Sequence, residues 1–369
     1  MGNLRDSFRV WEKLRRQRFR ALTSRFFASL TRSGHPPLER LDASQIREVL
    51  LVRMNERMGN TLFMTPLIAA LHEVMPEAAI DVYVSYPDAP DLLAGLPGVR
   101  DVIRAQAKRW WRLRETIASI RALRARRYDL VVEPSLNSSS GRIAMMIARS
   151  RWRLGFGGEE QWHRLDFAAV PPEVRHEALR PLALVEQAFG LHIAPGSARL
   201  RIGNTPEELA AGAHLLRERL ARGARPPRAG VPVIGFFASA RGPKDLGAEW
   251  WRAFWAAYLE RRPDTVPIEV LPTASQPALR EDLATVHCAS PRALAATVAG
   301  VDWFFSADTG PMHLASAAGV PTIAFFDKTR PDAFGPIKPN DVVIRIGGLT
   351  PQAVAAACAD IVERRGDPA

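Results

Sequence analysis

The stretch VDWFFSADTGPMHLASAAGVPTIAFF (residues 301–326) contains two apolar runs separated by a small-residue segment that has glycine and proline near both ends. The apolar runs VDWFFS and VPTIAFF predict buried strands, and the segment from Ala307 to Pro321 predicts a helix. Pro311 suits the first helical position, where its missing N–H is not needed, and Gly319 suits the end of the helix. A strand, a helix and a strand in this order predict a parallel βαβ unit.

Similar alternation extends along most of the chain. Further strands are predicted at the apolar runs REVLLVRM, AIDVYV, DLVVE, VPVIGFF and VPIEVL, and helices fall between them. The predicted helices include Thr61–Met75, Trp110–Arg126, Ala248–Arg261 and Pro277–Thr285. Alternation of this kind indicates an α/β protein in which helices cover both faces of parallel sheets.

The chain of 369 residues is longer than one hydrophobic core usually requires, and 47% of its residues are hydrophobic. We therefore predict two Rossmann-like, doubly wound domains that face a central cleft, at residues 45–203 and 204–369. The segment 222–232, rich in arginine, proline and glycine, suits a linker within the second range. Ligands of such sheets bind at the carboxyl ends of the strands.

An arm at residues 1–44 is predicted to begin with a basic amphipathic helix. Of the chain's net charge of +11, +7 falls within residues 1–32, where apolar side chains recur every three to five positions. Such a helix is typical of proteins that lie on an anionic membrane surface. The alternative is a helix that docks onto its own domain or a partner. Nucleic acid is disfavoured as a partner because no zinc-finger or RNP-type motif is present.

The cysteine count and the hydropathy pattern limit the class of protein further. Only Cys288 and Cys358 occur, with no CxxC or Cys/His cluster, so neither a disulfide framework nor a structural zinc site is indicated. No apolar run reaches about 18 residues, and the N-terminus lacks the apolar core of a secretory signal. A cytoplasmic protein that is soluble or peripheral to a membrane is expected.

Two loops that follow predicted strands have the residues of an anion site. In ADTGP, the unpaired N–H groups and the positive dipole end of the following helix favour a phosphate, and Gly310 permits close approach. The alternative is an ordinary turn in which Asp308 and Thr309 cap the helix. In GFFASARGPKDLGAEWW (residues 235–251), Lys244 can neutralise a diphosphate as a point charge, although a loop lysine is often only solvated.

A third glycine-containing turn is VRMNERMGNTLFMTP, at residues 52–66, where Gly59 and Asn60 begin a helix. It matches neither the GxGxxG fingerprint nor a Walker loop, which argues against nicotinamide chemistry and ATP hydrolysis.

These stretches together resemble glycosyltransferase family nine, the lipopolysaccharide heptosyltransferases, from about Glu48 to the C-terminus. Four patterns in the family's order support the resemblance. They are Gly59–Pro66, the segment Arg126–Phe156 that ends in R-x-G-F, Gly235–Trp251 and the D-T-G-x-x-H-L-A pattern at Asp308–Ala315.

The resemblance implies a GT-B enzyme with a nucleotide sugar in the C-terminal domain and a lipid acceptor against the N-terminal one. It further implies inversion at the anomeric carbon, no metal, no cofactor, and a location at the inner face of the inner membrane. Lys244 is assigned a catalytic role in stabilising the leaving diphosphate. The diphosphate-binding residues implied are Arg241, Asp308, Thr309, Gly310, Pro311, Met312 and His313.

The sequence departs from the family pattern at the expected catalytic base. Asn60 occupies the place of an aspartate, and an amide cannot act as a general base. Glu56, four residues earlier in the same loop, is the candidate replacement. Near the nucleotide, PTASQ replaces a glycine-rich G-G-x-x-E, so that Gln276 is the candidate contact, and Asp327 replaces a glycine.

Acceptor contacts are assigned to Gly59, Glu133 and Arg112, with turn stabilisation as the alternative for Glu133 and a solvated basic helix face as the alternative for Arg112. The preferred function is an inverting, metal-independent transfer of a sugar from a nucleotide sugar to a lipopolysaccharide-type acceptor. Heptose is the first candidate for this sugar. The chief alternative is a non-catalytic descendant that binds a nucleotide sugar or lipid, and a further class is a membrane-organising or nucleic-acid-binding scaffold.

Overall fold

The structure is a computed structural model, which describes residues 38–105, 113–158, 165–174, 176–194, 196 and 198–365. The helix predicted over residues 1–32 and the predicted acceptor contact Arg112 lie outside these residues.

The first half of the chain forms a six-stranded sheet in which every pair of neighbouring strands is parallel. Its strand order is β3-β2-β1-β4-β5-β6, which is the order of a doubly wound dinucleotide-binding fold. The strands are β1 Glu48–Arg53, β2 Ala79–Val84, β3 Val99–Arg104, β4 Arg127–Glu133, β5 Arg149–Phe156 and β6 Phe167–Ala169. The helices are α1 Met58–Leu62, α2 Thr65–Val74, α3 Ala89–Leu93, α4 Leu113–Arg124, α5 Ser139–Ile147 and α6 Leu182–Phe189.

The second half repeats this architecture. Its sheet is also parallel throughout, and its order, β12-β11-β10-β7-β8-β9, is the same order read from the other edge. The strands are β7 Val233–Phe237, β8 Val266–Val270, β9 Ala284–Val286, β10 Trp303–Ala307, β11 Thr322–Phe326 and β12 Val342–Arg345. The helices are α7 Pro206–Ala221, α8 Ala248–Arg261, α9 Pro291–Val298, α10 Gly310–Ala317, α11 Pro331–Phe334 and α12 Pro351–Arg364.

Helices cover both faces of each sheet, which explains the continuous apolar runs in the sequence. In β1, Val49 and Leu51 pack into one cluster with α2 and α6, whereas Leu50 and Val52 pack into another with α5. In the second sheet, Trp251 and Trp255 of α8 are fully buried against β7 and β10. The predicted α/β class with two doubly wound domains is confirmed.

Two predicted elements differ in the structure. Residues 277–283 form turns rather than a helix, and β9 follows them. The cause is long-range, because the carboxylate of Glu269 in β8 accepts a hydrogen bond from the backbone N–H of Leu279 at 2.7 Å. The single helix predicted over residues 61–75 is two helices, α1 and α2. The segment 222–232 joins α7 to β7, and α7 packs on α9 and β9 of the same sheet.

The two halves are in direct contact near the carboxyl ends of their strands. Helix α1 of the first half packs against α10 of the second. On one side of this contact the ring of His176 hydrogen-bonds to the carbonyl of Gly335 at 2.8 Å, and on another Arg292 donates to the carbonyl of Ala94 at 2.7 Å. Among the described residues, no helix is both long and apolar enough to cross a membrane.

Candidate active site

The predicted site residues lie where the strand order reverses. In the first sheet this point is between β1 and β4, and in the second it is between β7 and β10. At such a point, the loops leaving two neighbouring strands turn to opposite faces of the sheet and open a crevice for ligands. Glu56, Gly59 and Asn60 follow β1, Lys244 follows β7, and Asp308 follows β10.

Lys244 and Asp308 are brought together from two loops. Lys244 ends a short 3-10 helix at Gly242–Lys244, and its Nζ lies 2.5 Å from Oδ2 of Asp308. The same Oδ2 accepts a hydrogen bond from Oγ1 of Thr329 at 2.6 Å. Asp308 is buried, and the two donors fix its carboxylate. Lys244 remains about one third exposed, at 32%, so its ammonium group has donors left for a ligand.

The N-terminus of α10 lies directly beside this pair. Thr309 is the residue that precedes the helix, but its side chain does not cap it, because its Oγ1 is hydrogen-bonded to Oγ of Ser306 at 2.9 Å. The alternative in which the side chains of Asp308 and Thr309 cap the helix is therefore wrong for Thr309. Asp308, which contacts Lys244, lies two residues before α10, so a lysine and an uncapped helix N-terminus are adjacent, and both are groups that favour an anion.

Gly59 brings the first half of the chain onto this helix. A Cβ atom at Gly59 would lie 2.8 Å from Cδ2 of His313, which is closer than real Cβ contacts, and one at Gly310 would lie 3.2 Å from Met58. Glycine is therefore needed at residue 59 for the two halves to approach this closely.

His313 is buried at this contact, with 4% of its surface exposed. Its ring lies edge-on to Phe63 of the first half, with 4.7 Å between the ring centroids, and its Nδ1 has no hydrogen-bond partner among the described residues. Burial lowers the pKa of His313 to about 3, although Asp308 opposes the shift. The imidazole is therefore neutral near pH 7 and acts as a packing group between the halves.

The low pKa of His313 makes stability dependent on pH. The unfolded chain binds a proton at this residue near pH 6.5, and the folded chain does so only near pH 3, so acid favours unfolding between these values. We expect His313 to lower the free energy of unfolding by up to about 2 kcal/mol between pH 6.5 and pH 5. Urea titrations at several pH values measure this slope.

His313→Asn should flatten the slope between pH 6.5 and pH 5, whatever its effect on stability at pH 7. His214→Asn, at an exposed position on α7, is the matched control and should leave the slope unchanged. An unaltered slope in His313→Asn would show that the proton uptake occurs elsewhere.

Arg241 and Gln276 are placed differently from the Lys244 pair. Arg241 is exposed at the start of the 3-10 helix and faces the first half, where its charge opposes the rise that burial and Asp88 cause in the pKa of Tyr86. Gln276 donates from Nε2 to Oγ of Ser239 at 3.0 Å and so links the loop after β8 to the loop after β7. Both residues border the cleft without contacting Asp308.

Glu133 does not have the placement expected of an acceptor contact, because its side chain has no exposed surface. Its Oε2 lies 3.1 Å from Nε of the buried Arg142, and its Oε1 accepts a hydrogen bond from the N–H of Ser135. Burial raises the pKa of Glu133, against the effect of Arg142. Glu133 therefore holds α5 and the loop after β4 in place, which is the turn-stabilising alternative.

The candidate base Glu56 and the nearby Asn60 lie in the turn that follows β1. Glu56 is exposed in the loop between β1 and α1, and Asn60 is half-buried within α1. Among the residues that the structure describes, no group of three or more His, Cys, Asp or Glu side chains is placed to hold a metal ion. Lys244 and the N-terminus of α10 supply positive charge at this site.

Two residues at these loops were not predicted from the sequence. Thr329 contributes to the fixed carboxylate of Asp308 from a loop that local patterns do not connect with it. Arg53 was read only as part of an apolar strand, although a charged residue that ends such a strand is a visible signal.

Two doubly wound domains that face each other, with an anion site at the reversal point of the second, have the architecture of a GT-B glycosyltransferase. Residues 116–357, more than half of the chain, match the family model of glycosyltransferase family 9 (heptosyltransferase). The chain belongs to this family and is a glycosyltransferase, and the predicted resemblance is confirmed.

Solved structures agree with the fold. The structure is similar to E. coli heptosyltransferase WaaC with ADP, at 20% sequence identity and a TM-score of 0.66 over 85% of this chain and 100% of that chain. It is similar to E. coli ADP-heptose lipopolysaccharide heptosyltransferase II, at 18% identity and a TM-score of 0.67 over 86% and 99% of the two chains. A family 9 glycosyltransferase from Veillonella parvula matches at 17% identity and a TM-score of 0.64, over 81% and 85%. No curated protein sequence matches the chain significantly.

Proposed function

We propose that this glycosyltransferase moves a sugar, with heptose as the first candidate, from a nucleoside diphosphate donor to a lipopolysaccharide-type glycolipid. The observation that carries the proposal is the contact between Lys244 and Asp308 beside the uncapped N-terminus of α10. A diphosphate supplies negative charge and acceptor oxygens, which complement the ammonium group of Lys244 and the free backbone N–H groups at the start of α10. Two similar structures of E. coli heptosyltransferase WaaC, one with ADP and one with ADP-2-deoxy-2-fluoro heptose, support an ADP-linked donor.

The proposed reaction is a single displacement at the anomeric carbon. The acceptor hydroxyl oxygen attacks this carbon while its bond to the diphosphate oxygen breaks, so the configuration inverts. Lys244 and the first amides of α10 stabilise the negative charge that develops on the leaving diphosphate. Because fixed positive groups supply this stabilisation, the proposal requires neither a metal nor a cofactor.

Glu56 is the proposed general base, and it takes the proton that the acceptor hydroxyl loses. Its position supports this role, because it lies in the loop that leads into α1, and α1 rests on the helix that binds the donor. Asn60 in the same turn can orient the hydroxyl through its amide but cannot accept the proton at neutral pH.

Turnover with purified components tests the proposal. The protein should release ADP from ADP-heptose when core glycolipid from a strain lacking this protein is present, and the glycolipid should gain one heptose by mass spectrometry. Related nucleotide sugars are compared in the same assay. If no donor releases nucleotide in the presence of the acceptor, the enzymatic proposal is wrong and the second candidate is favoured.

The second candidate is a non-catalytic descendant that binds a nucleotide sugar, and Asn60 in place of a carboxylate favours it. Such a protein binds ADP-heptose in calorimetry without releasing nucleotide.

We also propose a peripheral location at the cytoplasmic face of the inner membrane, through the basic arm of residues 1–32. The chain lacking residues 1–32 should keep its turnover on detergent-solubilised acceptor but lose its association with anionic vesicles. Retained association would show that another surface binds the membrane.

A further inference from the structure

Arg53 is a buried cation at the carboxyl edge of the first sheet. It is the last residue of β1, and only 7% of its surface is exposed. Its Nη1 donates to Oγ of Ser135 at 2.8 Å, whereas its Nε is buried with no hydrogen-bond partner among the described residues. A guanidinium group has five N–H donors, so most of the hydrogen-bonding capacity of Arg53 is unused.

The carboxylates nearest to Arg53 are engaged by other arginines. Glu133 lies in ion-pair contact with Arg142 at 3.1 Å, and Glu177 with Arg180 at 2.6 Å. Glu133 and Glu177 both act on Arg53 electrostatically, but neither lies within ion-pair distance of it. Among the described residues, Arg53 therefore has no carboxylate in direct contact.

An unpaired buried charge lowers stability, because a guanidinium group loses its hydration without gaining an anion. Ser135 compensates only in part, since it is a neutral acceptor. A protein that retains such a charge at the carboxyl edge of a sheet has the means to bind an anion there. The free edge of the guanidinium matches the two oxygens of a carboxylate or a phosphate.

The position of Arg53 assigns this anion to the acceptor. Arg53 belongs to the first sheet, three residues before Glu56, whereas Lys244 and α10 belong to the second. The neighbouring segment that contains Glu177 reaches the second half through the hydrogen bond from Glu177 to Ala333. Arg53 is therefore at the cleft but outside the donor's anion site.

We propose that Arg53, supported by Ser135, binds an oxyanion of the acceptor, either a carboxylate or a phosphate, and thereby fixes the acceptor hydroxyl near the turn that contains Glu56. This inference rests on the proposed function, because it concerns the second substrate of the same reaction. It makes an anionic group next to the reacting sugar a requirement of acceptor recognition.

Inorganic phosphate is a probe that does not depend on turnover. In a Lys244→Ala background, which weakens the donor's anion site, phosphate at constant ionic strength should raise Tm by mass action. Adding Arg53→Met should remove most of this phosphate-dependent rise. Adding Arg104→Met, which removes an exposed arginine from the end of β3, should leave it intact. An equal rise with and without Arg53 overturns the proposal.

Kinetics with altered acceptors identify the source of the anion. Arg53→Met should raise the KM for core glycolipid by roughly 30-fold or more and leave the KM for the nucleotide sugar within a factor of about two. Phosphatase treatment or carboxyl reduction of the glycolipid should impair the wild-type enzyme and have little further effect on Arg53→Met. The treatment that produces this pattern names the group, and a variant as sensitive as the wild type to both treatments overturns the proposal.

Thermal stability separates binding from a structural role. If Arg53 is retained for binding at a cost to stability, Arg53→Met should keep or raise Tm in the absence of ligand. Arg53→Lys should then restore part of the affinity for the glycolipid. A lower Tm with an unchanged KM for the glycolipid would make Arg53 a structural residue. If the wild-type protein transfers no sugar, the proposed function fails, and the phosphate measurement still decides whether Arg53 binds an anion.

Discussion

Replacing Lys244 by alanine should lower kcat by about 10²- to 10³-fold, the usual cost of removing one group that stabilises charge in a transition state. The ammonium group contacts Asp308 just before α10, where the diphosphate is proposed to leave, and no other lysine contacts Asp308 in the described structure. The measurement is the initial rate of ADP release at saturating donor and acceptor.

Two comparisons separate a loss of chemistry from a loss of folded protein. Asp308 keeps its hydrogen bond from Thr329 in the variant, but this neutral donor replaces the ammonium group only in part, so Tm should fall and the rate is measured well below the variant's Tm. Arg261→Ala removes a positive charge from an exposed position at the end of α8 and should leave the rate unchanged. A Lys244→Ala enzyme with an unaltered kcat would exclude Lys244 from stabilising the leaving group.

Replacing Glu56 by glutamine should lower kcat by about 10²- to 10⁴-fold, the range over which a general base contributes. Glutamine preserves the size of the side chain and its hydrogen-bonding geometry but cannot take the proton from the acceptor hydroxyl. Donor binding should be unaffected, because Glu56 belongs to the first sheet and the donor site to the second. Single-turnover rates together with donor titration separate these two quantities.

Asn60 provides the converse experiment. Asn60→Asp introduces a carboxylate four residues after Glu56, in the helix that follows its loop, and in the Glu56→Gln background it should restore part of the lost rate. Glu73→Gln, at an exposed position near the end of α2, is the matched control and should retain full activity. Full activity of Glu56→Gln would rule out Glu56 as the base.

The fold was predictable because its signals are local. Apolar runs that are buried on both faces identify the strands of parallel sheets, and the glycine and proline at the ends of α10 identify its boundaries. The predicted helix over residues 277–285 failed because the backbone of Leu279 is held by Glu269, a residue of the preceding strand. The periodicity of a segment contains no information about a hydrogen-bond acceptor that another strand supplies.

The same limit explains which site residues were found. The loops that hold Lys244 and Asp308 were recognised from glycine, charge and their place after strands, but the contact between the two side chains depends on the pairing of β7 with β10. Thr329 acts through Asp308 of another loop, so no pattern in its own segment reveals it. Arg53 is visible as a charge at the end of an apolar strand, but its partner Ser135 belongs to another loop. Glu133 was assigned to the acceptor because it ends a strand, and only the packing of α5 shows that Arg142 and Gly141 enclose it.

The close approach of Gly59 to His313 bears on how halves of such enzymes can be recombined. A chimera that joins the first half of this chain to the second half of a relative keeps the native domain arrangement only if residue 59 remains glycine wherever a histidine occupies position 313, since any Cβ at residue 59 would lie 2.8 Å from the imidazole. The two halves are therefore not structurally independent modules in this protein. They are linked through a contact in which one partner has no side chain.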